Sequence, residues 1–415
     1  MTNIEILDSA IIPNLKSDYE LDSPINVDEF SYNAFFSKYL ISNKPCIIQS
    51  NVTKNWLCRN NWILNETPNF PLLHELFGNC VVPVADCNKR YYNSQEKNEM
   101  IVKNFLNYWQ ELRINNYPKN ASLLYLKDWH CKKDHPEMKF YDVPKYFASD
   151  WLNEYFTGQK ELNDDYMFVY IGPKGTWTPF HADVFSSYSW SANVYGKKRW
   201  LIFPPGEENH FRDSFGKLIY DVSKDEKLKR KDNSVKFYDI IQETGEIIFV
   251  PSGYYHQVWN LEDTISINHN WVNGCNILRM WMALKKELLT VMKEIEDCKE
   301  MENWTSHCQL MLKASYGMNY SQFFHFLSFI AERRINALTH KITNVSFDIW
   351  ILGENHCLFD LRQIKIVLEH LTKDANDKGI YNLLWKNNEV ENLLKNIIIV
   401  SVMKSPQSII DDLNC

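Results

Sequence analysis

Residues 177–200 read WTPFHADVFSSYSWSANVYGKKRW, and the fold of the whole chain turns on how that stretch is understood. β-Branched and aromatic positions crowd it, and Gly196 supplies a turn between the runs 188–195 and 199–203, the pattern of two short strands joined by a hairpin. His181 and Asp183 stand two apart within the run 179–185, so an extended chain projects both side chains from one face. An imidazole and a carboxylate held together in an apolar strand are half of a metal site.

Outward from that stretch the texture continues. Short β-like runs at 166–171, 246–250 and 264–271, punctuated by Gly and Pro, indicate an antiparallel barrel or jelly roll. The expected fold class is mainly β with α additions. A β core over 161–275 follows a mixed α/β region, 1–160, that packs on it, and precedes a helical region, 276–415. In the first region the spacing predicts helices over 27–41 and 96–114, strands over 81–85 and 123–126, and an edge strand over 44–48 opened by Pro45. In the last region helices are expected near 277–296, 359–371 and 390–403. Phe323, Phe326, Leu327 and Ile330 stand there at i, i+3, i+4 and i+7, one apolar stripe. The stripe serves either packing against the barrel or a dimer interface, so monomer and homodimer both stay open.

Composition narrows the function. At 415 residues with 45% hydrophobic and 14% aromatic content, the chain is a folded globular protein with a large core. A net charge of −7 argues against a protein built to grip nucleic-acid phosphates. The basic run 224–231 is diluted by Asp225 and Glu226 and reads as a solvated loop. The ten cysteines form no C-x-x-C pair, which excludes a zinc knuckle. The first twenty residues show no basic-then-apolar leader, and no apolar run approaches the roughly 20 residues that span a bilayer. A cytoplasmic protein with reduced thiols is therefore expected, with its sequons at Asn51, Asn65, Asn120, Asn303, Asn319 and Asn344 unglycosylated.

The other half of the metal site lies 75 positions on, in PSGYYH, residues 251–256. The Pro-x-Gly turn after the apolar run 247–250 would aim His256 back into the barrel. Taken singly, His256 reads as a hydrogen-bonded core residue; taken together, His181, Asp183 and His256 form the two-imidazole, one-carboxylate donor set of non-haem Fe(II) oxygenases. A second His-x-acid pair, His135-Pro136-Glu137, sits among Lys132, Lys133 and Asp134 and reads as an exposed loop. Lys198, in GKKRWLIF, shares a face with Trp200 and Ile202. Either it is the exposed end of a hairpin, or it is a buried ammonium that requires an anionic partner, which a dicarboxylate cosubstrate would supply.

The order HAD, GKKRW with LIFPP, PSGYYH and INHNW resembles the JmjC (Jumonji) family of 2-oxoglutarate- and Fe(II)-dependent oxygenases. That resemblance implies a double-stranded β-helix of the jelly-roll, cupin-like kind. It also implies Fe(II) on His181, Asp183 and His256, and 2-oxoglutarate and O2 as cosubstrates. Lys198, Thr178 and Tyr125 would hold the distal carboxylate of 2-oxoglutarate. Ser191 falls where several relatives have an asparagine near the cosubstrate, and Asn268 and Asn270 match positions at the iron-proximal end. The activity implied is protein lysyl hydroxylation, the partner the eukaryotic translation termination (release) factor, with no direct nucleic-acid or membrane partner. N-methyl-lysine demethylation of histones or other proteins, and an inactive Jumonji scaffold, are the alternatives.

Overall fold

The computed structural model describes residues 2–14, 21–159, 161–229, 235–340, 345–386 and 388–404. Two facing sheets organise it. The larger has eight strands. In chain order these are β1 (Cys46–Ile48), β2 (Val81–Tyr91), β3 (Ser94–Ile101), β4 (Leu124–Trp129), β5 (Met167–Gly172), then, after β6 (Trp177–His181) of the smaller sheet, β7 (Tyr188–Tyr195). The smaller sheet adds β8 (Lys198–Phe203) and β9 (Tyr238–Gln242); β10 (Ile247–Val250) returns to the larger, β11 (Tyr255–Asn260) to the smaller, and β12 (Thr264–Trp271) closes the larger. The spatial orders are β1-β10-β7-β12-β5-β4-β2-β3 and β9-β8-β11-β6. This alternation between sheets is the double-stranded β-helix.

Side-chain alternation along β7 shows why the sequence builds it. Trp190, Ala192 and Val194 are fully buried on the outer face, in an apolar cluster that runs from Ile4 to Val400. Ser189 and Ser191 face inward, onto a cavity. Trp190 lies 5.3 Å from Phe147, nearly parallel to it, and Phe147 meets Trp271 edge-on at 5.1 Å, so the sheet's outer face is sealed by aromatic packing. Inside the barrel, Trp200, Ile202, Ile248, Val250 and Val258 fill one part with a separate apolar cluster. Gly196 makes the β7–β8 turn with φ +83°, and a Cβ there would lie 1.8 Å from the Asp263 carbonyl oxygen, so this turn requires glycine.

Several local expectations change. Residues 94–101 are a strand, and the helix α1 (Val102–Ile114) begins only after them. The polar positions of β3 point outward from a hairpin with β2, a pairing that helical periodicity cannot reveal. The helix expected over 27–41 shrinks to a turn capped by the Ser31 hydroxyl, continued by a wide turn to Leu40. Strand β6 stops at His181, so Asp183 does not share a strand face with it. Strand β9 arises where none was expected, and the strand that carries His256, β11, runs on to Asn260. Residues 230 and 231 of the basic run, and Asn344, lie outside the described residues.

Helices cover the outer face: α2 (Trp151–Gly158), α3 (Ile277–Glu294), α4 (Trp304–Tyr316), α5 (Tyr320–His340), α6 (Glu354–Asp377) and α7 (Glu389–Met403). The apolar stripe of α5 is buried inside the chain: Phe323 stacks on Trp281 at 5.9 Å and Phe326 meets Tyr155 edge-on at 5.3 Å. It is a packing surface and not an exposed dimer face. Beside it Arg334, fully buried, forks between Glu154 of α2 at 2.7 Å and Asp360 of α6 at 2.7 Å. Thr2–Ile4 pairs in parallel with Trp350–Leu352, tying the first residues to the helical region. Replacing Arg334 by methionine strands two buried carboxylates and is expected to lower the unfolding free energy by about 3–5 kcal/mol, read as a fall in the urea midpoint. Arg333→Gln, at a neighbour 38% exposed on the same Glu154, is expected to cost under about 1 kcal/mol; equal losses would refute this division.

Candidate active site

His256 stands directly opposite His181 in the β11–β6 pairing, and the two rings lie 4.3 Å apart between centroids. Asp183 follows the end of β6. Its position is set by a tight turn in which Phe185 and Ser186 both take positive φ, +58° and +52°, a conformation that costs free energy for residues with a Cβ. Phe185 is held there by Tyr166 and Tyr316, each 5.5 Å away between ring centroids. Gly317 at the end of α4 approaches so closely that a Cβ would lie 3.2 Å from the Phe185 ring. Ser189 donates a 2.6 Å hydrogen bond to one Asp183 oxygen, leaving the other toward the histidines.

Ligand atoms of His181, Asp183 and His256 all lie within 4.8 Å of one another. Nδ1 of His181 is 2.8 Å from the Pro179 carbonyl, and Nδ1 of His256 is 3.3 Å from that of Tyr254. A carbonyl only accepts, so each Nδ1 carries the proton and each Nε2 keeps its lone pair for a metal. Burial, and then the His256 charge, push the His181 pKa down to about 4. The imidazole is thus neutral, the form that ligates. The donor set fits a divalent metal with open positions.

Lys198 opens β8 and is 2% exposed, which removes the exposed-hairpin alternative. Its ammonium donates to Ser266 Oγ at 2.8 Å and to the Tyr125 hydroxyl at 3.5 Å. Among the described residues no carboxylate pairs with it, and burial alone pushes its pKa down to about 7. Ser191 Oγ, also buried, has no hydrogen-bond partner. A buried cation and a free hydroxyl on one cavity, reaching it from the two facing sheets, are the complement of a small anion.

All nine residues singled out from the sequence line one cavity of about 60 Å³. Asn268 reaches Ser266 at 3.2 Å and Asn270 reaches Ser187 at 3.1 Å. Sequence reasoning missed Tyr170, Ser189 and Ser266. The alternation in YIG, 170–172, is the signal that could have placed Tyr170 beside Tyr125; the other two follow only from strand pairing. The second His-x-acid pair lies in a turn with Pro136 and Glu137 exposed, as expected, though His135 is half-buried there, edge-on to Phe77 at 5.3 Å with Nε2 3.2 Å from Cys80 Sγ. A larger cavity, about 580 Å³, opens beyond the outer face of β5. Its Lys132 and Arg333 are already paired with Asp348 and Glu154, and none of the three ligands lines it.

A family model described as "JmjC domain, hydroxylase" matches residues 168–271. The chain is 45% identical over 368 residues to the Gallus gallus protein named 2-oxoglutarate and iron-dependent oxygenase JMJD4, covering 85% of this chain and 86% of that one. The Danio rerio protein of the same name is 46% identical over 367 residues, with the same coverage. An Arabidopsis thaliana protein named arginine-specific demethylase JMJ20 is 42% identical over 322 residues, 73% of this chain and 69% of that one.

The Lys198 environment has a signed consequence. Folding lowers its pKa from 10.5 to about 7, so between those values the unfolded chain binds more protons and stability rises with pH. The penalty is fully present below about 7 and lifts toward 10.5. Lys198→Met is therefore expected to stabilise the metal-free chain, by on the order of 1–3 kcal/mol, more at pH 6 than at pH 9. The same variant should lose the rise in Tm that 2-oxoglutarate gives the parent protein. A destabilised Lys198→Met chain that still responds to 2-oxoglutarate would contradict the assignment.

Proposed function

The chain belongs to the JmjC family of 2-oxoglutarate- and iron-dependent oxygenases, and we propose that it is a protein hydroxylase acting on a lysine side chain of the eukaryotic translation termination factor. In this reading His181, Asp183 and His256 hold the iron. Lys198 anchors the distal carboxylate of 2-oxoglutarate with Tyr125 and Thr178, and Ser191, Asn268 and Asn270 line the rest of its berth. The observation that carries the reading is the Lys198 ammonium: buried and without an acid, on the same cavity as the three ligands.

Iron and 2-oxoglutarate, when bound, supply an oxidant strong enough for an unactivated C–H bond, by coupling loss of CO2 from the cosubstrate to transfer of one atom of O2. The chain's residues orient and desolvate. His181 and His256 present Nε2 because their Nδ1 protons are bound to carbonyls, Ser189 fixes one Asp183 oxygen, and the aromatic walls exclude water. Among the described residues no helix is long and apolar enough to cross a membrane, which accords with the cytoplasmic location we propose.

A second reading, oxidative demethylation of a basic side chain, is favoured by the relative named as an arginine-specific demethylase. The iron chemistry is the same; the outcomes differ in mass. The purified protein with Fe(II) and 2-oxoglutarate is expected to release succinate and add one oxygen atom to a lysine of the termination factor, seen by mass spectrometry. Loss of a methyl group from a methylated peptide, with no oxygen gained on the unmodified one, establishes the second reading instead. His181→Ala should abolish both succinate release and iron binding.

A further inference from the structure

Strand β4 carries an irregularity at the wall of the cavity. Leu126 stands opposite Ile171 and Trp129 opposite Val169, so two residues, Lys127 and Asp128, face the single Tyr170. This is a β-bulge, and Asp128 takes φ +61° within it. Leu126 and Trp129 remain in the outer core, while the extra residue sets two consecutive side chains opposite Tyr170. Lys127 lies with its ammonium 5.7 Å from the Tyr125 ring and donates to Gln95 at 2.9 Å. Asp128 accepts a 2.5 Å hydrogen bond on Oδ1 from Tyr170, whose side chain lines the cavity with His181 and Asp183.

The other oxygen of Asp128 is occupied differently. Oδ2 pairs with the Lys97 ammonium, which reaches over from β3. Lys97 is 44% exposed and Asp128 32%, so this is a rim contact between a long flexible side chain and a fixed carboxylate, the kind of pair that breaks at little cost. Burial raises the Asp128 pKa, but Lys97, Lys127 and the Tyr170 hydroxyl outweigh it and leave the carboxyl below its ordinary value, hence charged. Lys127 is itself pushed down to about 8 by burial and stays mostly protonated at neutral pH, its ammonium held by Gln95. Asp183 is the carboxylate on the described cavity wall, and Asp128 adjoins that wall from behind Tyr170.

We propose that Asp128 selects a positively charged target side chain, exchanging the Lys97 ammonium on Oδ2 for the ammonium or guanidinium of the substrate residue while Tyr170 fixes Oδ1. The bulge then has a purpose: it sets a carboxylate one hydrogen bond, through Tyr170, from the cavity that holds the three ligands. Lys97 acts as a stand-in that keeps the carboxylate paired between turnovers and returns to solvent when substrate arrives. This assignment rests on the reading that the enzyme modifies a basic residue.

The test uses the full chain with Fe(II), 2-oxoglutarate and the purified termination factor, comparing Asp128→Asn with Lys97→Met. Asp128→Asn is expected to raise KM for the protein substrate about tenfold or more, with no comparable change in KM for 2-oxoglutarate. Lys97→Met is expected to lower that same KM, because it removes the competing cation. A merely structural ion pair cannot produce opposite signs, since breaking it from either side loses the same contact. Peptides spanning the modified site, with lysine or norleucine there, give a second readout: the parent protein binds the lysine peptide more tightly, and Asp128→Asn loses the preference. If the parent modifies the lysine but the two variants shift KM in the same direction or not at all, this inference fails alone. If the parent modifies no basic residue of the factor, the reading beneath it fails as well.

Discussion

A single ammonium, that of Lys198, constrains the interior of this barrel more than any other group. Charge in a low-dielectric interior is tolerated only with a partner, and the described residues provide two hydroxyls and no acid. The rest of the barrel follows from that imbalance. One part of the interior is filled by Trp200, Ile202, Ile248 and Val250, which leaves water little room. The other is polar, small and walled by serine, threonine and asparagine, residues that satisfy an anion's oxygens without adding charge. The three proposed metal ligands sit on the same cavity, so a dicarboxylate held by Lys198 would have its other end toward them.

Much of this was legible in the sequence because the chemistry needs particular side chains at alternating positions. His181, Asp183, His256 and Lys198 declare themselves by type and spacing, and the strands that carry most of them are strongly apolar runs. What was not legible depends on distant pairing. Residues 94–101 look helical until their partner, β2, is known, and β1 joins the core sheet through β10, some 200 residues later. Asp183 reaches its place by a strained turn and not by strand alternation, because the packing of Phe185 on Tyr316 overrides the local preference. The bulge at Lys127 and Asp128 is invisible in sequence for the same reason: it exists only relative to Tyr170.

The helical region touches the site without entering it. Phe185 is wedged by the end of α4, and Asn153 of α2 donates to the Asn270 carbonyl at 3.2 Å while accepting from the Tyr166 amide at 2.7 Å. Arg334 in turn locks α2 to α5 and α6. The carboxylate ligand and the end of β12 are therefore set from outside the barrel, by contacts whose residues have no chemistry of their own.

The pairing of Thr2–Ile4 with Trp350–Leu352 bears on the order of events during synthesis. More than three hundred residues separate the two strands, so Thr2–Ile4 has no sheet partner until that length of chain has left the ribosome. The same holds on a shorter scale for Cys46–Ile48, whose neighbour in the large sheet is β10. Such non-local closures are slow, and they leave edges open meanwhile. Thr2–Ile4 and Cys46–Ile48 therefore stay unpaired for much of translation, and a chaperone that covers them would protect strands made long before their partners.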